Sequence, residues 1–504
     1  MEESLSQKTL KNSLWQVFNI FWVTVLNFFV TPLLLHKIGI ENYGVYILIL
    51  TIISFLSLLD LGVGAAFANS FIEYIVGKEV EKRNRLLNSF VLIRTGIGLI
   101  GLVLLVGLSF LADSIFGIRG EFLRQTQYGF WIGGLYFVVL MASSPFMSTA
   151  ISIQRFDILG KAAFIQNTIL NFLLIAFAFL RPSLTWLLSS HLIAGLANFM
   201  ICFLMVKKAM PEIRVKFEFS SQELFRKMKF GLFNFVSGLA NNFLMQVDRF
   251  FISQMLGNSF LAFYTISNSL AQKVYSVSGS SAATLYPVAT DLFYQKERQK
   301  FGQSFRRALR IAITFSVLSG VVLMIFGERL MRFWVGQEIA DKGAPLLYFF
   351  VPTYILFSIY EVLSGFYFGL GKSKTLAVFS CFMALVNIVF LVFLIPLYGL
   401  LGAALAFLLA LLPVIFLIFI FEKKELDFTD SLRFYAGIFL KLLLVSAILV
   451  VMAKYFLLVL AVGLWQCLLL ILFGFAIAIS LFWLLGFVEE EDSELIKSFL
   501  KKIK

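Results

Sequence analysis

Residues Thr375–Phe421 read TLAVFSCFMALVNIVFLVFLIPLYGLLGAALAFLLALLPVIFLIFIF, without one charged side chain. A helix needs about 20 mostly apolar residues to cross ~30 Å of hydrocarbon. The stretch is therefore read as two membrane spans, Thr375–Pro396 and Leu400–Phe421. The same pattern continues on both sides. Towards the N-terminus the spans are Leu14–Leu35, Tyr43–Ser70, Asn88–Ala112, Phe122–Ala150, Ile158–Leu180, Leu184–Val206, Arg226–Leu256, Ser259–Ala289, Ala308–Gly327 and Ala344–Leu370. Phe434–Phe456 and Gly463–Phe487 follow towards the C-terminus. The expected fold is an all-α polytopic membrane protein with 14 transmembrane helices.

Composition agrees with lipid as the solvent. Mean hydropathy is +0.91, and 60% of the 504 residues are hydrophobic, with 60 Phe among them. Such a surface would aggregate in water. The first span is too long for a signal-peptide core and lacks a small-residue cleavage site, so it is expected to be retained. Cys202, Cys381 and Cys467 all fall inside spans and read as small apolar residues rather than disulfide or metal ligands.

The net charge of +13 reports orientation rather than nucleic acid. With both termini cytoplasmic, most of the 42 Lys and Arg fall in the connections and helix flanks on the inside, as the positive-inside bias requires. Basic runs such as Lys78–Arg85 are expected to meet anionic headgroups. The connections are too short to fold a nucleotide-binding or catalytic domain. Gly371-Lys372-Ser373 resembles the end of a phosphate loop, but position 366 is Phe where that motif needs Gly. The two histidines, His36 and His191, are far apart and make no metal motif. Neither a cofactor nor catalytic residues are expected.

The chain also contains a faint duplication. Lys37-Ile-Gly-Ile-Glu-Asn-Tyr-Gly-Val-Tyr46 matches Met255-Leu-Gly-Asn-Ser-Phe-Leu-Ala-Phe-Tyr264, so that Gly39 falls on Gly257 and Tyr46 on Tyr264, an offset of 218. Asn171 falls near Asn387 at 216. Six spans lie within one offset. An even number makes corresponding helices run the same way, as in parallel repeats. The expected organisation is an N-terminal six-helix lobe (1–210), a cytoplasmic linker (211–225), a second six-helix lobe (226–425), and two extra helices with a cytoplasmic tail (426–504).

Gly39-Ile-Glu-Asn-Tyr-Gly44, followed by Leu59-Asp60-Leu-Gly-Val-Gly64, resembles the N-terminal signature of the O-antigen (Wzx-type) polysaccharide flippases. Gln246-Val-Asp-Arg249 with Tyr264 is similar to that family's seventh helix and the turn after it. Asn387–Pro396 with Gly399 and Gly402 is similar to its eleventh and twelfth helices. The family belongs to the multidrug/oligosaccharidyl-lipid/polysaccharide exporter superfamily. The resemblance implies translocation of an undecaprenyl-pyrophosphate-linked oligosaccharide from the cytoplasmic to the outer leaflet of the bacterial inner membrane. It implies a monomer working beside a polysaccharide polymerase and a chain-length regulator. Two other readings stay open: a multidrug or small-cation exporter, and a membrane-embedded polymerase or ligase. The first span carries no acidic residue, which counts against the exporter. The short outer loops count against the enzyme.

A pyrophosphate head is costly to bury unpaired, so cations inside the spans are the first candidates. Ionisable residues at membrane depth cost ~2.5–3.5 kcal/mol on insertion scales and are functional hypotheses by default. Lys273 lies ~21 Å into the eighth span and Arg249 about 12 Å into the seventh, at 1.5 Å per residue. Arg94 begins the third span, where it can meet substrate, snorkel, or pair with Asp60. Glu361, in the tenth span with no cation nearby in sequence, is the candidate ion-coupling group. Asp248 and Asp60 are candidates for coupling or for charge pairing, Asp248 with Lys273 or Arg249. Small residues around Gly62–Ala66 and Gly279–Ala283 read as close packing or as bends at a polar cavity.

Overall fold

The computed structural model describes residues 5–57, 63–118, 120–216, 218–219, 228–275, 289, 298–426, 430–453 and 463–484, and every extended element among them is a helix. In chain order these are α1 (Leu5–Ile38), α2 (Ile40–Leu56), α3 (Val63–Val76), α4 (Val80–Phe110), α5 (Ala112–Phe116), α6 (Glu121–Ser152), α7 (Phe156–Leu180), α8 (Leu184–Ala209) and α9 (Met228–Met255). There follow α10 (Asn258–Ala271), α11 (Arg298–Val335), α12 (Gln337–Gly343), α13 (Leu347–Gly369), α14 (Ser373–Leu411), α15 (Pro413–Phe421), α16 (Ser431–Met452) and α17 (Leu464–Leu484). Nine helical runs among the described residues are long and apolar enough to cross a membrane, with α2 and Leu464–Ile477 as shorter apolar helices. Phe393, Leu397, Phe416 and Phe439 are exposed, as a lipid-facing surface requires.

Helices begin where the backbone can turn sharply. Gly39 (φ 81°) precedes α2 and Gly257 (φ 101°) precedes α10, the positions matched by the sequence repeat. The correspondence extends further along the chain. Gly120 (φ 70°) before α6 matches Gly336 (φ 99°) before α12, and Gln154 (φ 55°) before α7 matches Gly371 (φ 70°) before α14, at offsets of 216 and 217. A left-handed residue is uncommon outside glycine, so three such pairs at offsets of 216 to 218 accord with a duplication.

Thr375–Phe421 forms two helices that meet at Gly399 alone, at φ 57°, ψ −130°, inside the run numbered α14. A Cβ at Gly402 would lie 2.0 Å from the Leu394 carbonyl oxygen, so the reversal needs glycine there as well. The expected eighth span is α-helical only to Ala271, and a 3-10 turn, Gln272–Val274, follows. In the second, α2 ends at Leu56, and 58–62, with Asp60, lie outside the described residues.

The chain divides into two compact units, Met1–Ala262 and Phe263–Lys504. In the first, α6 packs on α4 and α8, α7 on α1 and α8, and α9 on α2 and α3. One end of it holds an aromatic core in which Phe67 stacks on Phe90 at 4.4 Å and Ile213, from the segment after α8, is buried beside them. In the second unit α11 packs against α12, α13, α16 and α17. Leu318, Leu442 and Val445 are buried in one cluster along the α11–α16 seam.

Candidate functional site

In the second unit α10 and α13 run side by side in the same direction. Tyr264 meets Phe350 edge-on at 4.9 Å. One turn further, the Tyr354 hydroxyl donates a hydrogen bond to Asn268 Oδ1. Both pairs share a spacing of 86, and so does the third, the electrostatic contact of Tyr275 with Glu361. Beyond Asn268 the α-helix stops. Fourteen residues of α10 at 1.5 Å each place the stop ~21 Å from the helix start. The 3-10 turn brings Tyr275 back over α13, where its ring lies 5.4 Å from Tyr354 at an interplanar angle of 7° and 5.0 Å from Phe357 edge-on. Gln272 hydrogen-bonds Tyr275. Gln272 and Lys273 are themselves exposed, and Glu361 is half-buried. The turn carries a cation, an amide and a phenol, with Tyr354 beside it and Glu361 in electrostatic contact with Tyr275.

In the first unit α9 runs antiparallel to α2. Gln246 Nε2 donates to Ser54 Oγ at 2.8 Å and to Asn242 Oδ1 at 3.3 Å, while Phe243 meets Phe55 at 5.2 Å. At the other end a Cβ on Gly44 would lie 1.8 Å from the Asn258 carbonyl oxygen, so the two halves of the repeated motif touch. Asp248 is fully buried and its Oδ1 accepts the Arg249 backbone N–H at 2.8 Å. Arg249 is half-buried and interacts with Tyr43, to which Thr31 is hydrogen-bonded.

The remaining candidates fall elsewhere. Arg94 is buried between α4 and α6, 4.9 Å over the Phe90 ring and 3.8 Å from Met141 Sδ. Its expected partner Asp60 lies outside the described residues. Three polar clusters escaped sequence reasoning. Tyr46 hydroxyl and His191 Nε2 are hydrogen-bonded at 2.6 Å, with Tyr136 5.4 Å from the imidazole. The repeat offers the signal: Tyr46, Tyr136 and His191 correspond to Tyr264, Tyr354 and Phe407 in the second unit. Arg306 binds Glu422 (3.0 Å) and Asp430 (2.7 Å) and lies 4.7 Å over Phe434, while Tyr435 donates to Glu422 at 3.0 Å. This clasp ties α11 to the start of α16. The third cluster fastens residues 212–216 to α4.

Against known proteins, residues 9–293 match the model of the family described as polysaccharide biosynthesis protein. That is more than half of the chain. The chain belongs to the polysaccharide biosynthesis protein family. Residues 235–393 of this family member also match the MatE model. Among curated relatives it is 21% identical over 367 residues to the uncharacterized membrane protein EpsK of Bacillus subtilis (strain 168), covering 72% of each chain. It is 18% identical over 372 residues to a putative O-antigen transporter of Shigella flexneri, covering 74% of this chain and 87% of that one. Its fold is similar to that of the lipid II flippase MurJ in an inward closed conformation, with a TM-score of 0.72 at 18% identity over 93% of this chain and 97% of that one. It is also similar to an inward-facing multidrug resistance MATE family transporter of the MOP superfamily, at a TM-score of 0.69 and 14% identity, over 80% and 94%. The family member therefore shares the all-helical fold of these two proteins.

Proposed function

We propose that this chain is a flippase that carries an undecaprenyl-pyrophosphate-linked oligosaccharide from the cytoplasmic to the outer leaflet of a bacterial inner membrane, by alternating access and coupled to an ion gradient or the membrane potential. In this reading both termini are cytoplasmic, the protein is a monomer, and a polysaccharide polymerase and a chain-length regulator use its product. The observation that carries the reading is the end of α10 at Gln272–Val274, ~21 Å into the helix, with Lys273 and Gln272 exposed there. Hydrocarbon does not accept an exposed ammonium. The turn therefore faces water, and such a wet cationic recess suits an anionic sugar-phosphate head while the polyprenyl tail stays in lipid.

The residues divide by their surroundings. Lys273 is the proposed pyrophosphate ligand, with Arg249 as the second cation. Arg94, enclosed by Phe90 and Met141, is assigned to holding α4 on α6. Glu361 beside Tyr275 is the proposed coupling group. Asp248, fully buried, is assigned to charge pairing.

The match to the MatE model and the likeness to a multidrug transporter favour a second reading, export of small organic cations. Purified protein in proteoliposomes separates the two. Translocation of a fluorescent undecaprenyl-pyrophosphate oligosaccharide, faster under an imposed ion gradient, supports the flippase. Counterflow of an organic cation with no movement of the lipid supports the exporter.

A further inference from the structure

The segment after α8 is not a loose connection. Asn84 Nδ2 on α4 donates to the Glu212 carbonyl at 3.0 Å, Asn84 Oδ1 accepts the Arg214 N–H at 3.2 Å, and Asn88 Oδ1 accepts the Lys216 N–H at 3.1 Å. Every second residue of the segment is thus held by carboxamides one helical turn apart. Arg83, itself buried, binds the Glu212 carboxylate. Ile213 drives into the aromatic core below. Between the strapped segment and α4 lies a cavity of about 600 Å³, a volume typical of small-ligand sites.

The walls of this cavity are polar and mixed in charge. Glu81, Arg85 and Asn84 line it from α4, and Glu212, Arg214 and Lys216 from the segment. Glu212 is engaged by Arg83. Among the described residues the Glu81, Arg85 and Arg214 side chains have neither a hydrogen bond nor an ion pair. The cavity therefore offers guanidinium donors and a free carboxylate acceptor, beside the Lys216–Glu218 pair at 3.9 Å, along a segment whose backbone Asn84 and Asn88 hydrogen-bond. An anion would meet Glu81, and a cation would meet two guanidiniums. A ligand with hydroxyls that both donate and accept, neutral or weakly acidic, fits all of them.

We infer that this cavity binds the saccharide portion of the substrate at the cytoplasmic face, with Glu81, Arg85 and Arg214 as its free hydrogen-bonding groups. The inference rests on the flippase reading for its biological ligand, but the site can be tested apart from transport. The probe is a free tetrasaccharide cleaved from a lipid-linked repeat unit, titrated calorimetrically into detergent-purified protein. Wild type binds it. Arg85→Ala and Glu81→Gln, both exposed positions outside the strap, each weaken binding about 10-fold, the equivalent of one charge-assisted hydrogen bond, at unchanged thermal stability. Arg83→Ala, which releases the strap, loses binding more completely. Flipping is measured separately with the intact lipid-linked tetrasaccharide and with the same lipid bearing a single sugar. Half-saturation rises in the Arg85 and Glu81 variants for the tetrasaccharide alone. Unchanged tetrasaccharide affinity in both exposed-site variants, or no binding by wild type, overturns the saccharide site even where flipping is intact. Wild-type binding without flipping keeps the site and defeats the transport reading instead.

Discussion

Gly44→Ala tests the closest approach in the first unit. The added Cβ would stand 1.8 Å from the Asn258 oxygen, 2.6 Å from its carbonyl carbon and 3.2 Å from its Cα. Carbon and oxygen need about 3.5 Å in ordinary contact, so α2 must retreat by well over 1 Å. The obstacle is backbone, fixed by Gly257 at φ 101° and by the Ser253–Asn258 side-chain hydrogen bond at 2.7 Å, and no rotamer change relieves it. Overpacking costs typically ~1–3 kcal/mol, and a backbone clash belongs at the upper end. Two controls lie on α4. At Gly101 a Cβ meets the Phe137 ring at 2.2 Å, which a side chain can partly accommodate, and at Gly107 nothing lies within 4 Å. Thermal unfolding in detergent should rank Gly44→Ala as the most damaging and Gly101→Ala as intermediate. Gly107→Ala should be neutral or up to ~1 kcal/mol more stable from helix propensity. A Gly44→Ala protein as stable as wild type would refute the docking of the two repeated motifs.

Other perturbations probe the second unit and the charges. Tyr354→Phe strands the buried Asn268 amide and should cost ~1–3 kcal/mol, read as a lower unfolding temperature. Glu361→Gln should abolish gradient-dependent flipping while substrate binding persists; wild-type flipping under a proton gradient would remove Glu361 from coupling. Asp248→Ala should lose expression, because burial leaves whatever it pairs with uncompensated, and normal expression with normal flipping would contradict a pairing role. The Arg306 guanidinium, hydrogen-bonded to it, holds the Asp430 carboxyl below the usual carboxylate range. The sign follows: the clasp contributes fully above the unfolded-state pKa of Asp, and its contribution fades as pH falls through the lower folded value. Asp430→Asn should flatten the acid limb of thermal stability, and an unaltered limb would show that the clasp adds nothing to it.

Much of this architecture was legible from one sequence, because hydropathy and glycine report local physics. Apolar runs of span length mark helices wherever the solvent is lipid, and Gly39 and Gly257 announce left-handed turns that other residues resist. What stayed hidden depends on partners far away in the chain. Gln272, Lys273 and Val274 have ordinary helical propensities, so nothing local marks the end of α10; packing of Tyr275 on Tyr354 and Phe357 fixes it. Arg306 and Glu422 stand 116 residues apart, and their pairing leaves no trace in either neighbourhood. Asn84 reads as part of a basic run at the headgroups and Asn88 as the start of a span, and only the segment they grip, some 128 residues away, shows their role. The charged residues at depth were legible as candidates by cost alone. Their separate surroundings, Arg94 under Phe90 and Lys273 on an open turn, were not.

The most direct test of the account is flipping by Lys273 variants in proteoliposomes at matched expression. The recess reading predicts that Lys273→Ala loses translocation of the undecaprenyl-pyrophosphate oligosaccharide without loss of folding, and that Lys273→Arg keeps part of it, since charge survives while geometry changes. A purely structural role predicts the reverse, with Lys273→Ala misfolded. Full transport by folded Lys273→Ala would contradict Lys273 as the pyrophosphate ligand.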